Sequence, residues 1–266
     1  MKRTLSGLYI YPIKSLGGIA LSGSKVLSSG LQYDRQWMLV DQEGNFMSQR
    51  NLPQMALLQV SLQEESLHIS HKQQADAGLR IPLSGDSGRL QKVQIWEDQI
   101  DALLVDPTAD EWFSDMLRVS CRLTKISSDH KRWLKKKYQV NGEHVGFADS
   151  MPFLLIGQSS LNDLNKRLAT PVPMNRFRPN LVFSGGPAYV EDAWDEFHIG
   201  AVPFKITKPC GRCVMTTVDQ DEGTKGSEPL YTLSKYRKKG GNVFFGQNGI
   251  ALEEGYIALG DTIRLC

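Results

Sequence analysis

The chain has 266 residues, 41% hydrophobic and 23% charged, with 31 Lys and Arg against 29 Asp and Glu and a net charge of +2. This is ordinary for a soluble globular protein of one large or two modest domains, and it excludes a global electrostatic bias toward nucleic acid. No apolar run reaches the roughly 18 residues of a membrane span, and four cysteines in this length make no disulfide scaffold but fit a reducing, cytoplasmic setting.

The N-terminus has a basic start but no apolar signal-peptide region. It reads as a first strand over Leu5 to Ile13, alternating in polarity and ending at Lys14-Ser15. Gln36 to Asp41 predicts a second strand. Turn chemistry at residues 42–45 follows, and Phe46 to Ser48 returns as a hairpin. Ala56 to Leu62, Ser66 to Ser70, Lys92 to Trp96 and Asp101 to Val105 read as strands, with a loop at residues 84–88. Asp106-Pro107-Thr108 is a capped helix start. The helix runs to about Arg118 and buries Trp112, Phe113, Met116 and Leu117 on one face. A strand over Arg122 to Ile126 follows.

His130 to Lys137 is a basic segment. Leu230 to Lys239, with Lys235, Arg237, Lys238 and Lys239, is another. Each reads first as a solvated face, and secondly as a docking site for an acidic partner or an anionic surface. In the second half, Pro152 to Ile156 is a short apolar run, and Ser159 to Leu168 predicts a helix with a serine cap. Asn180 to Phe183, Glu196 to Ile199, Val202 to Thr207 and Cys213 to Val218 read as strands. Gly255 to Leu265 reads as two short strands around a Gly-Asp turn.

Cys210-Gly211-Arg212-Cys213 carries the most chemistry, because a thiol beside an arginine is biased toward thiolate. A thioredoxin-like dithiol opens a helix, whereas the β-branched Val214, Thr216, Thr217 and Val218 predict a strand. A closed zinc site needs four ligands. Cys121 and Cys266 lie far off in sequence, and the five histidines supply no second knuckle. A single reactive or metal-ligating thiolate, suited to a soft or redox-active metal, and a pair of buried structural cysteines both stay open.

Several basic residues stand at strand ends: Lys14 with Ser15, Arg35, Arg176 with Arg178, and Arg212. Arginines on loops held by a β scaffold can converge on a phosphate with bidentate hydrogen bonds. No glycine-rich dinucleotide or Walker loop is present.

Six blocks in one order carry a resemblance. They are Tyr11-Pro12-Ile13-Lys14-Ser15; Asp34-Arg35-Gln36-Trp37 with residues 41–44; Phe177-Arg178-Pro179-Asn180; residues 191–196; Cys210-Gly211-Arg212-Cys213 with residues 216–219; and Phe245-Gly246-Gln247-Asn248. The chain resembles, from end to end, the MOSC-domain proteins with an N-terminal MOSC β-barrel domain, a group that includes the mitochondrial amidoxime-reducing components and bacterial relatives. The fold class this implies is α+β, predominantly β. An N-terminal β-rich domain over residues 1–115 would precede a MOSC β-barrel with peripheral helices over residues 116–266.

The resemblance implies a molybdenum cofactor, with Cys213 as metal ligand and catalytic residue. Lys14, Ser15, Arg35, Arg178, Asn180 and Arg212 match cofactor contacts. Ser150, in Asp149-Ser150-Met151-Pro152, matches another. Arg176 is a weaker candidate, Met151 departs from the small polar residue common there, and Cys210 is assigned to packing. The implied activity is reduction of N-hydroxylated compounds (amidoximes, hydroxylamines, N-hydroxylated bases) to amines or amidines, a detoxification chemistry. The alternative is a molybdenum-cofactor or sulfur carrier using Cys213. The chain carries no ferredoxin-type cysteine cluster. Electrons are therefore expected from a separate ferredoxin-, flavoprotein- or cytochrome b5-like protein, with no nucleic-acid partner and no membrane span.

Overall fold

The computed structural model describes residues 2–127 and 129–266. Seven strands close into a barrel, in the order Phe153–Gly157, Leu181–Ser184, Arg3–Ile10, Thr262–Leu265, Glu196–Ile199, Val202–Arg212 and Asn242–Ala251, the last pairing back onto the first. Closure leaves the barrel without a free edge. One junction, Phe153–Gly157 with Leu181–Ser184, is parallel. The helix Gln158–Asn165 lies in its crossover, which a parallel pair needs. Leu5, Leu8, Phe153, Phe183, Phe197 and Phe204 fill the interior, with Phe197 and Phe204 stacked at 5.5 Å. Full burial stabilises each such side chain by about 1.5–3 kcal/mol.

A second β-rich body is built largely from residues 37–126. It holds the sheet Trp37–Val40, Arg122–Ile126, Asp98–Leu104, Leu90–Ile95 and the sheet Leu58–Gln63, Ser66–His71, Gln74–Pro82. Helix α1 (Pro107–Leu117) starts as its sequence predicts, with the Asp106 carboxylate accepting from Thr108 N at 2.8 Å. Ala109, Phe113 and Leu117, four apart, are its fully buried face, while Trp112 and Met116 are partly buried. The predominantly β fold agrees with the sequence reading.

Several elements differ from expectation for identifiable reasons. Helix α2 is Gln158–Asn165, and Ser159 does not cap it. The cap residue is Gly157, and the buried Glu191 carboxylate accepts from Gly157 N at 3.1 Å and Ser160 Oγ at 2.7 Å. A distant side chain replaces the local cap. Phe46 makes only a bridge to Val40; Asp41 closes the turn instead by accepting from Asn45 N at 2.8 Å. The strand expected from Ala56 begins at Leu58, after a 3₁₀ turn over Pro53–Leu57. Gly255–Ala258 and Thr262–Leu265 do not pair with each other: the first joins Gly23–Leu27, the second joins Arg3–Ile10 and Glu196–Ile199. Asn242–Ala251 is a ten-residue strand that its internal glycines had masked.

The strand expected over Cys213 to Val218 is absent. Val202–Arg212 runs on past Pro209, tolerating it between two register irregularities, and ends before Cys213. Val214–Thr217 then forms a 3₁₀ turn in which Thr216 Oγ1 and Thr217 Oγ1 donate to the carbonyls of Cys213 and Val214 at 3.0 and 2.7 Å. Hydroxyl-to-backbone bonding of this kind competes with a strand.

The candidate functional site

Residues from both bodies line one cleft of about 450 Å³. Lys14, Ser15, Arg35 and Ser150 lie on it, and so do Arg178, Asn180, Arg212 and Cys213. Every residue singled out from the sequence is therefore brought to one place, together with Arg176, Met151 and Cys210.

Three of these residues have left-handed backbone: Ser15 at φ 68°, Arg35 at φ 49° and Arg178 at φ 53°. Non-glycine residues enter this region at a cost of order 1–3 kcal/mol, and such strain concentrates at functional sites. It turns the side chains of two strand-end arginines onto one aromatic platform. The Arg35 and Arg178 guanidiniums lie 4.7 and 4.1 Å from the Tyr11 ring centroid. Tyr11 itself is pinned by its hydroxyl donating to Pro179 O at 3.1 Å and its amide donating to Asp34 Oδ1 at 2.8 Å. Burial pushes the Tyr11 phenol up to about 12, which keeps it neutral.

The cations are held individually. Arg35 pairs with Asp34 at 2.5 Å and donates to Asn180 Oδ1 at 3.1 Å. Arg178 donates to Leu16 O at 2.7 Å, and burial pushes it down to about 10. Arg212 donates to Phe177 O at 2.7 Å and to Cys210 Sγ at 3.0 Å. Lys14 donates to Phe147 O at 2.8 Å and pairs with Asp149. Burial pushes the Lys14 ammonium down to about 8, although Asp149 pulls the other way. Burial would raise the Asp149 carboxyl, but the charges of Lys14 and Arg50 outweigh it and hold the group well below the usual carboxylate range.

Cys213 is exposed at the start of the 3₁₀ turn, while Cys210 is half-buried and packed against the cluster holding Phe177 and Phe245. The two thiols are thus inequivalent. Among the described residues no group of three or more His, Cys, Asp or Glu is placed to hold a metal, so the residues offer a metal one thiolate and no closed zinc site.

Two buried guanidinium nitrogens on the cleft, Nε of Arg176 and of Arg212, have no hydrogen-bond partner among the described residues. Orphaned donors of this kind call for an acceptor. A polar anionic group seated in the cleft would satisfy them and offset the surrounding positive charge. The residues present therefore fit a phosphate-bearing cofactor whose metal takes one protein thiolate.

Sequence reasoning missed Arg50, the charge of Asp149, Lys208 and the Tyr11 platform. Asp149 adjoins the quoted Ser150. Arg50 and Lys208 stood in no motif considered, and only the fold brings them here. Among the described residues, neither basic segment itself lines the cleft. Lys208, on the cleft, lies 4.8 Å over Tyr138, the residue after the first, and the second is followed by a strand that brings Asn242 and Phe244 to the cleft. No helix among the described residues is long and apolar enough to cross a membrane.

Known proteins resemble this arrangement throughout. The MOSC N-terminal beta barrel domain matches residues 2–120 and the MOSC domain matches residues 142–264. Mitochondrial amidoxime-reducing component 1 of Mus musculus is 34% identical over 280 residues, covering 98% of this chain and 82% of that protein. Its Homo sapiens counterpart is 31% identical over the same shares. Molybdenum cofactor sulfurase of Oryza sativa subsp. japonica is 30% identical over 91% of this chain but only 32% of its own length.

Proposed function

Because this chain belongs to the MOSC family, in the form with an N-terminal MOSC β-barrel domain, we propose that it is a molybdenum-cofactor oxidoreductase. It reduces N-hydroxylated compounds to amines or amidines with electrons from a separate redox protein. The net change breaks the N–O bond, consumes two electrons and two protons, and yields the N–H compound and water. The observation that carries this reading is the open Cys213 thiol on the wall of a cleft lined by strained, buried cations.

The cofactor is the molybdenum cofactor of the family, and when bound it supplies the two-electron redox chemistry. Cys213 would ligate the metal. Lys14, Ser15, Arg35, Arg178, Asn180 and Arg212 would hold the phosphate and the polar edge of the pterin, with Ser150 at the facing loop. The preset guanidiniums of Arg35 and Arg178 orient the anion without further loss of side-chain freedom, because Tyr11 already fixes them.

The test is metal analysis and turnover together. The purified, loaded protein is expected to carry about one molybdenum per chain, and to reduce an amidoxime with reduced viologen. Cys213→Ala loses the metal. Stoichiometric molybdenum in that variant, or a fully loaded protein without turnover, removes the respective half of the reading. A second reading, a cofactor or sulfur carrier using Cys213, is favoured by the likeness to the rice sulfurase. It requires labile sulfane sulfur on Cys213 and no turnover.

A further inference from the structure

The Cys213 side of the cleft is completed by residues of the first hundred positions. Arg50 lines the cleft, and its guanidinium lies 4.6 Å from the ring centroid of Trp96. Its Nη2 donates to Asp149 Oδ2 at 2.8 Å, and Trp96 Nε1 donates to Oδ1 of the same carboxylate at 3.3 Å. The Arg50 carbonyl accepts from Lys225 Nζ at 2.6 Å. Face, edge and backbone of Arg50 are all fixed.

Trp96 sits in the two-residue turn between Leu90–Ile95 and Asp98–Leu104, with φ 56°. Such a turn ordinarily takes asparagine or glycine, and a bulky side chain there is an outlier. Trp96 is 46% exposed and its ring meets Phe46 in a tilted contact, centroids 5.0 Å apart. An aromatic ring kept on a strained tip, and used to hold an arginine, points to a demand on that arginine.

Arg50, like Arg176, is tied through its guanidinium to a carboxylate and, among the described residues, to no carbonyl, which separates it from three other cations of the cleft. Arg35, Arg178 and Arg212 each donate to a protein carbonyl oxygen through the guanidinium. The one oxygen acceptor that the Arg50 guanidinium meets among the described residues is Asp149. A guanidinium has five N–H donors. The remainder are left for the cleft, where Arg50 is electrostatically coupled to the Cys213 thiol.

Resting on the N-reductase reading, we propose that Arg50 grips the nitrogen-bound oxygen of the substrate, and that Trp96 and Asp149 are positioning residues for it. As the N–O bond breaks, two electrons arrive from the reductant, negative charge gathers on the departing oxygen, and two protons from water complete the N–H compound and water. A fixed guanidinium at that oxygen stabilises the charge where it develops. The product amidine has lost the oxygen and is a stronger base, cationic at neutral pH. The Arg50 donors turned to the cleft then lose that oxygen and face a like charge, which favours release. The cleft thus recognises oxygenated, uncharged N–O compounds and rejects their reduced forms.

The experiment compares benzamidoxime with benzamidine on cofactor-loaded protein. Calorimetric affinity, turnover with reduced methyl viologen and molybdenum content are measured for the native chain, Arg50→Gln, Arg50→Lys and Trp96→Leu. The native chain is expected to bind benzamidoxime the more tightly. Arg50→Gln keeps its molybdenum, loses about tenfold or more in benzamidoxime affinity, holds benzamidine at least as well, and drops kcat by about 10²–10³-fold. Arg50→Lys recovers part of kcat, and Trp96→Leu falls between.

Loss of molybdenum in both Arg50 variants would make the residue a cofactor contact and overturn the proposal. So would unchanged discrimination in Arg50→Gln. A native chain that discriminates but does not turn over removes the N-reductase reading and leaves the oxygen grip standing. One that turns over, with discrimination unaltered in the variants, does the reverse.

Discussion

Lys14 allows a quantitative test of how burial strains the cleft. Lys14 is 5% exposed, and burial lowers its pKa from 10.5 to about 8 despite the pairing with Asp149. Each tenfold change in proton affinity is about 1.4 kcal/mol, so this gap is worth about 3 kcal/mol. Below pH 8 Lys14 is charged whether the chain is folded or not, and the whole cost is present. Between about 8 and 10.5 the unfolded chain binds more protons than the folded one, so stability rises with pH. Above about 10 the raised Tyr11 works in the opposite sense, because the unfolded phenol ionises first. The clean window is therefore about pH 7.5 to 10. Urea unfolding of cofactor-free protein across that window, for the native chain and Lys14→Met, isolates the residue because other lysines contribute equally to both. The native curve is expected to climb relative to the variant by up to about 3 kcal/mol, a shift of roughly 6–12 °C if read thermally. Parallel curves would refute the argument that burial, rather than pairing, dominates Lys14.

Two further substitutions test the frame. Gly246 has φ 81°, and a Cβ there would come within 2.6 Å of Ile156 Cγ1 and 2.9 Å of Leu155 O, at the junction that closes the barrel; Gly246→Ala should cost about 3 kcal/mol or more, and a thermal midpoint within about 2 °C of the native chain would contradict the contact. Removing the Glu191 carboxylate in Glu191→Ala strands Gly157 N and Ser160 Oγ and should cost about 1–3 kcal/mol. Glu191→Gln keeps an acceptor oxygen for both donors, and burial disfavours the charged form of the native carboxyl, so this variant should unfold closer to the native midpoint than Glu191→Ala. Equal losses in both variants would show that charge, and not the hydrogen bonds, matters there.

The site was more legible in the sequence than the fold around it. Lys14, Arg35, Arg178 and Arg212 were recognisable because each sits at a strand end, where a β scaffold offers its loops, and each lies in a distinctive short block. Helix α1 was legible because Asp106, Pro107 and the four-residue spacing of Ala109, Phe113 and Leu117 are local signals. The turn after Cys213 was not, because β-branching predicts a strand while the threonine hydroxyls find nearer carbonyls. The helix cap from Glu191 lies 34 residues from Gly157. Arg50, Trp96 and Asp149 meet only through folding, and no spacing in the chain announces a contact between a hairpin tip and a loop 53 residues away.

The barrel's neighbour relations also govern how the chain must be assembled. Arg3 faces Ile263 and Thr4 faces Thr262, so the opening and closing strands lie side by side. The body formed mainly by residues 37–126 is in effect an insertion after the first stave of the barrel. On a nascent chain that insertion can condense early, since its sheet partners lie within a short stretch of sequence. Apart from its short pairing with Ile19–Ala20, the first stave must wait for its barrel neighbours until residues 181–184 and 262–265 have been synthesised. The cleft needs both Lys14 and Cys213, 199 positions apart, so a ribosome-bound intermediate carries part of its cationic wall before it carries its thiol.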